Sequence, residues 1–264
     1  MPGRDAVRPE LVEGHGSTGS PRTEGNALRT RVVPAAPSEP RIPRRHRLIL
    51  VRHAQSAVDP RRAPSTWGLT DNGRAAARRL AALGLFDRAD GFYAGDEPKM
   101  VETLEPVAAE RERRVQAEAA FGETHSEGFL GSEEFLATIQ RFLAEPEVAP
   151  APGWETAAAA RARFGAAVER LRVVHEPPMN RDRVLPATVA IATGGRMITS
   201  YLAGVLGWST EEALEHWRAL RMPDLAVVEL DEQPEDAQRL KGVRGPGVRD
   251  GKGSLVIPFG TLVV

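Results

Sequence analysis

The sequence has no cysteine among its 264 residues, and only three of its 35 basic residues are lysine. The absence of cysteine excludes disulfide bonds, zinc–thiolate sites, iron–sulfur clusters and a cysteine nucleophile. The formal net charge is only −1, which argues against a general binder of nucleic acid or of membrane surfaces. The sequence also lacks any apolar run near the roughly 18 residues of a membrane span. These absences favour a soluble cytoplasmic protein.

Residues 1–46, which include His15 and His46, differ in composition from the rest of the chain. They contain eight arginines, seven of the 21 prolines and no aromatic residue, so they cannot bury enough surface to offset the loss of chain entropy. No apolar run of about 7–15 residues follows their basic residues, which argues against a signal peptide. We therefore expect a disordered N-terminal extension at 1–46 and one folded domain at 47–264.

The rest of the chain alternates between short apolar runs and longer amphipathic or alanine-rich segments. The apolar runs predict buried strands at 48–51, 90–94, 188–193, 225–230 and 255–264. The longer segments predict helices at 71–83, 98–113, 155–175, 197–206 and 210–220, and in part at 127–144. This alternation indicates an α/β fold of three layers, with a mostly parallel sheet and helices on both faces. Ligands bind beyond the carboxyl ends of the strands in such sheets, so the residues after Val51, Ala94 and Thr193 are the first candidates for a site.

An arginine–histidine pair, Arg52–His53, directly follows the first predicted strand. A guanidinium group grips phosphate oxygens with two parallel hydrogen bonds. A neighbouring imidazole can attack phosphorus and carry a covalent phosphoryl group. The same dipeptide would also suit a surface arginine beside a hydrogen-bonded histidine, so the surrounding sequence has to decide between the two interpretations.

The surrounding sequence reads LILVRHAQS and then TWGLTDNGRAAARRLAALG. Further along come YAGDEPKMVETLEPVA, the tripeptide at residues 121–123 and a predicted strand that ends in IATGGRM. In this order the segments resemble the histidine phosphatase superfamily, also called the phosphoglycerate-mutase-like family, over about residues 47–230. The resemblance implies the three-layer α/β fold of that family and a phosphatase of small phosphorylated molecules that needs no metal or cofactor.

The resemblance also implies roles for individual residues. In the family the first histidine is phosphorylated, two arginines clamp the phosphate, a second histidine steadies the transferring group, and a carboxylate protonates the leaving oxygen. Arg52 and His53 match the first arginine and the first histidine. Glu123 stands at the position of the acid, with Glu127 and Glu102 as alternatives.

Three positions depart from the family pattern. Ala54 replaces the glycine of the Arg-His-Gly motif, which is a small change. Lys99 falls at the second arginine, where it keeps the positive charge but loses the two-pronged geometry. Gly194 falls at the second histidine, and this is the serious departure, because the loss of one preorganised donor typically costs about 10²–10³ in rate.

Three interpretations of the position that lacks the second imidazole stay open: a turn that binds phosphate together with Arg196, a replacement by His125, or no functional replacement. The backbone N–H groups of the turn at Gly194 and Gly195 could bind phosphate at the start of a helix. Arg196 would lie in the first turn of that helix, where a cation is disfavoured unless an anion is bound. His125 could instead enter from the acid segment. Alternatively, the two glycines form only a tight turn, Arg196 points to solvent and His125 is a loop residue.

Two functional hypotheses follow from these residues. The first is a phosphatase that acts through a phosphohistidine intermediate at His53. The second is a catalytically impaired member that keeps a phosphate pocket for binding or regulation, because Lys99 and Gly194 replace two core residues. A phosphoglycerate mutase is disfavoured because residues 127–152 contain no recognisable substrate lid. An α/β module that binds a partner protein through the arginine-rich N-terminal segment is a further alternative.

Substrate specificity in such folds depends on loops, here residues 56–67 and 127–153. Ser56, at the start of the first loop, and His125 are candidate substrate-binding residues. The other side chains that would suit an anionic ligand with an apolar part are Arg61, Arg62, Trp67 and Phe129.

Overall fold

The computed structural model describes residues 45–175, 186–231 and 253–257. Within these ranges the strands are β1 Arg45–Arg52, β2 Gly91–Ala94, β3 Val115–Ala117, β4 Ala187–Thr193, β5 Asp224–Asp231 and β6 Gly253–Ile257. The helices are α1 Asp71–Ala81, α2 Pro98–Ala109, α3 Ser132–Ala144, α4 Ala157–Val174, α5 Gly195–Leu206 and α6 Thr210–Ala219. Short 3₁₀ helices cover Pro64–Thr66, Gly84–Phe86 and Ala119–Phe121. No helix in these ranges is long and apolar enough to cross a lipid bilayer.

The strands form one sheet in the order β3-β2-β4-β1-β5-β6. Strands β1 and β4 are parallel, and so are the pairs β2–β4 and β2–β3. Strand β5 runs antiparallel to β1, and β6 runs antiparallel to β5. The predicted α/β class with a mostly parallel sheet is therefore confirmed. Because Arg52 and Thr193 are register partners at the ends of β1 and β4, the carboxyl ends of the two central strands meet at one edge of the sheet.

Helices cover both faces of the sheet because successive strand residues point to opposite sides. On one face, Ile49 of β1 belongs to an apolar cluster with Leu80 of α1 and Leu104 of α2. On the other face, Leu50 of β1 belongs to a cluster with Phe164 of α4. All of these side chains are fully buried, and burying each one contributes about 1.5–3 kcal/mol. The two clusters make the fold a three-layer arrangement around the central strands.

Two helix starts fix segments that matter for the site. Helix α1 begins after Thr70, whose Oγ1 accepts a hydrogen bond from the Gly73 N–H at 2.9 Å. Helix α5 begins at Gly195, and Gly194 is an N-cap without a side chain to cap the helix. The first N–H groups of α5 therefore need partners from elsewhere in the chain.

Several predicted boundaries differ from the observed ones. Strand β1 begins at Arg45, so His46 lies in the strand and not in the N-terminal extension; it is 3% exposed, and its Nε2 is 3.1 Å from Arg172 O. The strand is longer than its apolar run of residues 48–51 because backbone pairing with β4 and β5 extends to both sides of that run. Strand β6 ends at Ile257 in the described residues. Residues 1–44 and 258–264 lie outside them.

Candidate active site

His53 follows β1 directly and is only 8% exposed. Its backbone N–H donates to Thr193 O of β4 at 3.1 Å, and its Nδ1 lies 2.8 Å from Ala54 O. A carbonyl oxygen only accepts, so Nδ1 carries the ring proton and Nε2 has a free lone pair. Burial lowers the pKa of His53 to about 4, and the positive charges of Lys99 and Arg52 act in the same direction. The ring is therefore a neutral imidazole at pH 7.

Ala54, which replaces the glycine of the Arg-His-Gly motif, has a negative φ that any residue can adopt. Among the described residues, Glu112 is the only non-glycine residue with a positive φ, so position 54 does not require glycine. The Ala54 N–H donates to Thr103 Oγ1 of α2 at 2.9 Å, and its side chain packs with Leu69 and Ala77. The chain direction after His53 is thus fixed by contacts that alanine permits.

Arg52 reaches from the end of β1 towards the loop after α6. Its Nη1 donates to Leu220 O at 2.7 Å, while its Nε is buried and has no hydrogen-bond partner among the described residues. Burial lowers the pKa of this guanidinium, and the carboxylates of Glu123 and Asp224 oppose that effect. Gly195 permits the close approach, because a Cβ there would lie 3.0 Å from Arg52 Nε. Arg52 nevertheless lines the cavity beside His53, so its guanidinium group can place positive charge next to an anion there.

Lys99, at the second arginine position, is 5% exposed and already has partners. Its Nζ forms an ion pair with the Glu97 carboxylate and donates to Pro64 O at 2.7 Å. The other Glu97 oxygen, Oε1, accepts the Glu123 N–H at 2.9 Å. The charge of Lys99 is therefore largely compensated before any phosphate arrives.

The Glu123 carboxylate fills the volume that a side chain at Gly194 would occupy. A Cβ on Gly194 would lie 2.1 Å from Glu123 Oε2, and its three nearest atoms all belong to Glu123. Oε1 accepts the Met197 N–H at 2.9 Å, and Oε2 accepts the Arg196 N–H at 3.2 Å. The N–H groups that follow the turn at Gly194 and Gly195, those of Arg196 and Met197, thus already bind a carboxylate. The physical reason is that an internal anion satisfies the positive start of α5.

The pKa of Glu123 reflects two opposing effects. Burial raises it, but the charge of Arg196 and the hydrogen bonds from the N–H groups of Thr124 and Arg196 together lower it below its ordinary value. The group is therefore a carboxylate at neutral pH in this structure. A resting general acid would have to be protonated, so Glu123 could serve as one only after it gains a proton.

Arg196 does not point to solvent. It is 8% exposed, and its Nε lies 3.6 Å from Glu123 Oε2. Its Nη2 donates to Thr124 O at 3.0 Å and to Ser126 Oγ at 3.3 Å. Its guanidinium carbon lies 4.7 Å from the centre of the Trp154 ring, a cation–π distance. Arg196 thus joins the start of α5 to the segment after Glu123.

One cavity of about 980 Å³ brings together nearly all of the predicted site residues. Gly194 is the one that does not line it. His125 is exposed at this cavity and does not fill the hollow beside Gly194. Of the alternative acids, Glu127 lines the cavity, whereas Glu102 binds the Leu69 N–H and Arg74 instead. The residues that do line it are Arg52, His53, Ser56, Lys99, Glu123, His125, Gly195 and Arg196.

Sequence reasoning missed two residues that hold the site together. Glu97 joins Lys99 to the backbone of Glu123, and only its position two residues before Lys99 pointed to it. Arg163 of α4 binds the Glu155 carboxylate at 2.8 Å and donates to Ala120 O at 2.9 Å and Glu123 O at 3.3 Å. Arg163 gave no signal, since it is one of 32 arginines in the chain.

Among the described residues, no group of three or more acidic or histidine side chains could hold a metal ion.

The family model for the histidine phosphatase superfamily (branch 1) matches residues 48–242. This match spans well over half of the sequence, and the chain therefore belongs to that superfamily. It is a phosphatase-like protein with an α/β fold, as the resemblance predicted. No curated protein matches the chain.

Solved structures show the same fold at low sequence identity. The native structure of mycobacterial glucosyl-3-phosphoglycerate phosphatase is 18% identical, with a TM-score of 0.57, and the match covers 81% of this chain and 98% of that one. Its complex with inorganic phosphate is 19% identical, with a TM-score of 0.55 and coverages of 69% and 89%. YhfR from Bacillus stearothermophilus is 18% identical, with a TM-score of 0.57 and coverages of 80% and 96%.

Proposed function

We propose that the protein hydrolyses small phosphate monoesters through a phosphohistidine intermediate at His53. The observation that carries this proposal is the state of His53: a buried neutral imidazole whose Nδ1 is bound to Ala54 O and whose Nε2 is free. A neutral imidazole at the wall of a cavity is a competent nucleophile towards phosphorus. Family membership and the phosphate complex of a structural neighbour support the same chemistry.

The reaction has two steps. His53 Nε2 attacks phosphorus, an N–P bond forms, and the P–O bond to the leaving group breaks. Water then attacks the phosphoryl group, the N–P bond breaks, and inorganic phosphate leaves while His53 regains its lone pair. Arg52, which lines the cavity beside His53, supplies positive charge to the phosphoryl oxygens in both steps.

The leaving oxygen needs a proton, and we propose that Glu123 delivers it. A phosphate dianion that enters beside the Glu123 carboxylate raises the pKa of that group, because like charges disfavour each other. Glu123 then takes up a proton as the substrate binds and donates it to the leaving oxygen. In the second step the same carboxylate accepts a proton from the attacking water.

The test is hydrolysis of 4-nitrophenyl phosphate by the full chain, together with labelling by substrate that carries ³²P, quenched in alkaline detergent so that the N–P bond survives. We expect turnover, an acid-labile phosphoprotein, and the loss of both in His53→Ala. His216→Ala is the matched control, since His216 stacks on Trp208 at 3.9 Å and does not line the cavity. Absence of turnover across a panel of phosphate esters would refute the proposal.

A second candidate function rests on the charges around the pocket. Two of the four positions that serve phosphate in the family are altered, and Lys99 and Arg196 are both paired with carboxylates. These pairs would suit a member that binds a phosphorylated ligand without turning it over. Thermal stabilisation by phosphate without any hydrolysis would support this role, and robust turnover by the natural chain would exclude it.

A further inference from the structure

The cavity extends well beyond the space that a phosphoryl group needs. Its volume of about 980 Å³ is near the upper end of the range of roughly 300–1,000 Å³ that is typical of small-molecule sites. His53 and Arg52 line only part of it. The remaining volume is therefore available to the group that carries the phosphate.

Aromatic side chains are scarce in this sequence but concentrated at this cavity. The chain has four tryptophans, and three of them, Trp67, Trp154 and Trp217, line it. Trp67 is tilted against Phe129 with ring centres 6.4 Å apart. Phe135 lies 6.2 Å from Trp154 and 6.1 Å from Trp217. The five rings come from three parts of the chain, at residue 67, at residues 129–154 and at residue 217, and they form two groups that line the same cavity. These five rings are called the aromatic wall.

Two of the three indole N–H groups in this wall already have hydrogen-bond partners. Trp67 Nε1 donates to Asp59 O at 3.1 Å, and Trp154 Nε1 donates to Glu127 O at 3.2 Å. These indoles are held by backbone carbonyls and do not need a polar group from a ligand. Both indoles are themselves buried, and Arg196 covers the Trp154 ring, so the ring surface open to a ligand belongs to Phe129, Phe135 and Trp217. This apolar ring surface suits an aromatic group.

The mouth of the cavity carries exposed apolar side chains from three separate loops. Val58 is 57% exposed, Phe129 is 56% exposed and Met222 is 46% exposed, and all three line the same cavity. Exposed apolar groups that converge from separate loops indicate a surface that a ligand covers. Because these side chains line the same cavity as His53, the covering group is the one attached to the phosphate.

We infer that the natural substrate is a phosphate monoester whose leaving group is a bulky aromatic moiety. This inference rests on the proposed function and names the substrate class for it. The phosphoryl group lies beside His53, and the aromatic moiety lies between the aromatic wall and the exposed side chains at the mouth.

Binding is measured first, with two phosphonates that cannot be cleaved. Phenylphosphonate and biphenyl-4-ylphosphonate share the charged group and differ by one ring. Isothermal titration should show the biphenyl compound binding about tenfold more tightly, because the second ring buries further apolar surface. Equal affinities for the two phosphonates would overturn the inference.

Variants at the mouth of the cavity test whether its exposed side chains cause the tighter binding of the biphenyl compound. Phe129→Ala and Val58→Ser should lower the affinity for the biphenyl compound by about fivefold to tenfold and leave phenylphosphonate nearly unchanged. Val148→Ser is the matched control for Val58→Ser, because Val148 is 54% exposed and lies outside the cavity. If Val148→Ser has the same effect, or if the two mouth variants have none, the inference is wrong.

Kinetics separate this inference from the proposed function. Phenyl phosphate and biphenyl-4-yl phosphate have leaving groups of similar acidity, so kcat/KM should favour the biphenyl ester by about tenfold and lose that preference in Phe129→Ala. Tighter binding of the biphenyl phosphonate without any turnover would refute catalysis and retain the inferred ligand class. Turnover of both esters with equal kcat/KM would support the proposed catalysis and refute the inference that the leaving group is a bulky aromatic moiety.

Discussion

At the scale of single residues, Glu123 and Gly194 share one volume. Glu123 Oε2 would lie 2.1 Å from a Cβ at position 194, and the same carboxylate accepts two N–H groups of α5. The anion therefore replaces both the side chain and the helix cap that this position lacks. A substitution at either residue changes the environment of the other, and their effects should not add.

Gly194→Ala should destabilise the protein by about 1–3 kcal/mol, because Glu123 has to move out of a packed position. In a Glu123→Ala background the same change should cost less than about 0.5 kcal/mol, and a histidine at position 194 should then be tolerated as well. Urea denaturation of the two single variants and the double variant measures this coupling. Gly165→Ala is the control, since a Cβ at Gly165 of α4 meets nothing within 4 Å. Additive effects would contradict the shared volume.

The variant Glu123→Gln tests the proposed general acid by comparing substrates whose leaving groups differ in their need for a proton. Alkyl phosphates need a proton on the departing oxygen, so their kcat should fall by about 10²–10⁴. 4-Nitrophenyl phosphate departs without that help, and its kcat should change little. Its KM should fall, because a negative charge beside the phosphate has been removed. Steady-state rates on both substrates give the answer, and equal losses on the two would exclude an acid role for Glu123.

At the scale of elements, helix α4 braces the segment that carries Glu123. Arg163 binds Glu155, and Glu155 Oε2 in turn accepts the His125 N–H at 3.1 Å. Arg163 also donates to backbone carbonyls of the Ala119–Phe121 turn and of Glu123. One side chain of a helix thus fixes a loop with little regular backbone pairing of its own.

Arg163→Ala should cost about 2 kcal/mol of stability, because it leaves a largely buried Glu155 carboxylate without its ion pair. It should also lower kcat on alkyl phosphates more than on 4-nitrophenyl phosphate, since it acts through Glu123. Arg170→Ala is the matched control on the same helix, because the Arg170–Glu118 pair is exposed and such pairs contribute little. Thermal unfolding and the two substrates are the measurements. A uniform loss on both substrates would indicate a structural role only.

Elements whose ends depend on local chemistry could be predicted from the sequence, and elements set by distant contacts could not. The start of α1 follows from Thr70, and β4 follows from an apolar run that is buried along its whole length. The antiparallel direction of β5 depends on pairing with β1 across more than 170 residues, and no local pattern encodes it. The ion pair of Lys99 with Glu97 and the position of Glu123 beneath Gly194 depend likewise on how loops meet after folding.

At the scale of the whole molecule, the three-layer arrangement buries a titratable ring at the end of its central strand. The pKa of His53 is about 4 in the folded chain and about 6.5 in an unfolded one. The unfolded state therefore binds more protons between these two values. The free energy of unfolding consequently falls as the pH decreases through this window, and it changes no further on this account below about pH 4.

We expect His53 to remove up to about 3 kcal/mol of stability between pH 7 and pH 4, from a difference of about 2.5 in pKa. Urea denaturation at pH 7, 5.5 and 4.5 measures the loss in the natural chain. His53→Asn should show a shallower dependence, since it has no ring to protonate, and His216→Asn serves as the control. If His53→Asn follows the same pH dependence as the natural chain, His53 titrates normally and is not buried as described.

The contact between Glu123 and Gly194 also limits the order in which the two positions can change over generations. A chain that first gains a side chain at position 194 is crowded, because the carboxylate still fills that space. A chain that first shortens Glu123 has an open hollow that accepts any later residue. An evolutionary path from this site to one with a second histidine at position 194 therefore passes through a protein that has neither the carboxylate at position 123 nor the second imidazole. Such an intermediate has to persist with the weakest site of the series.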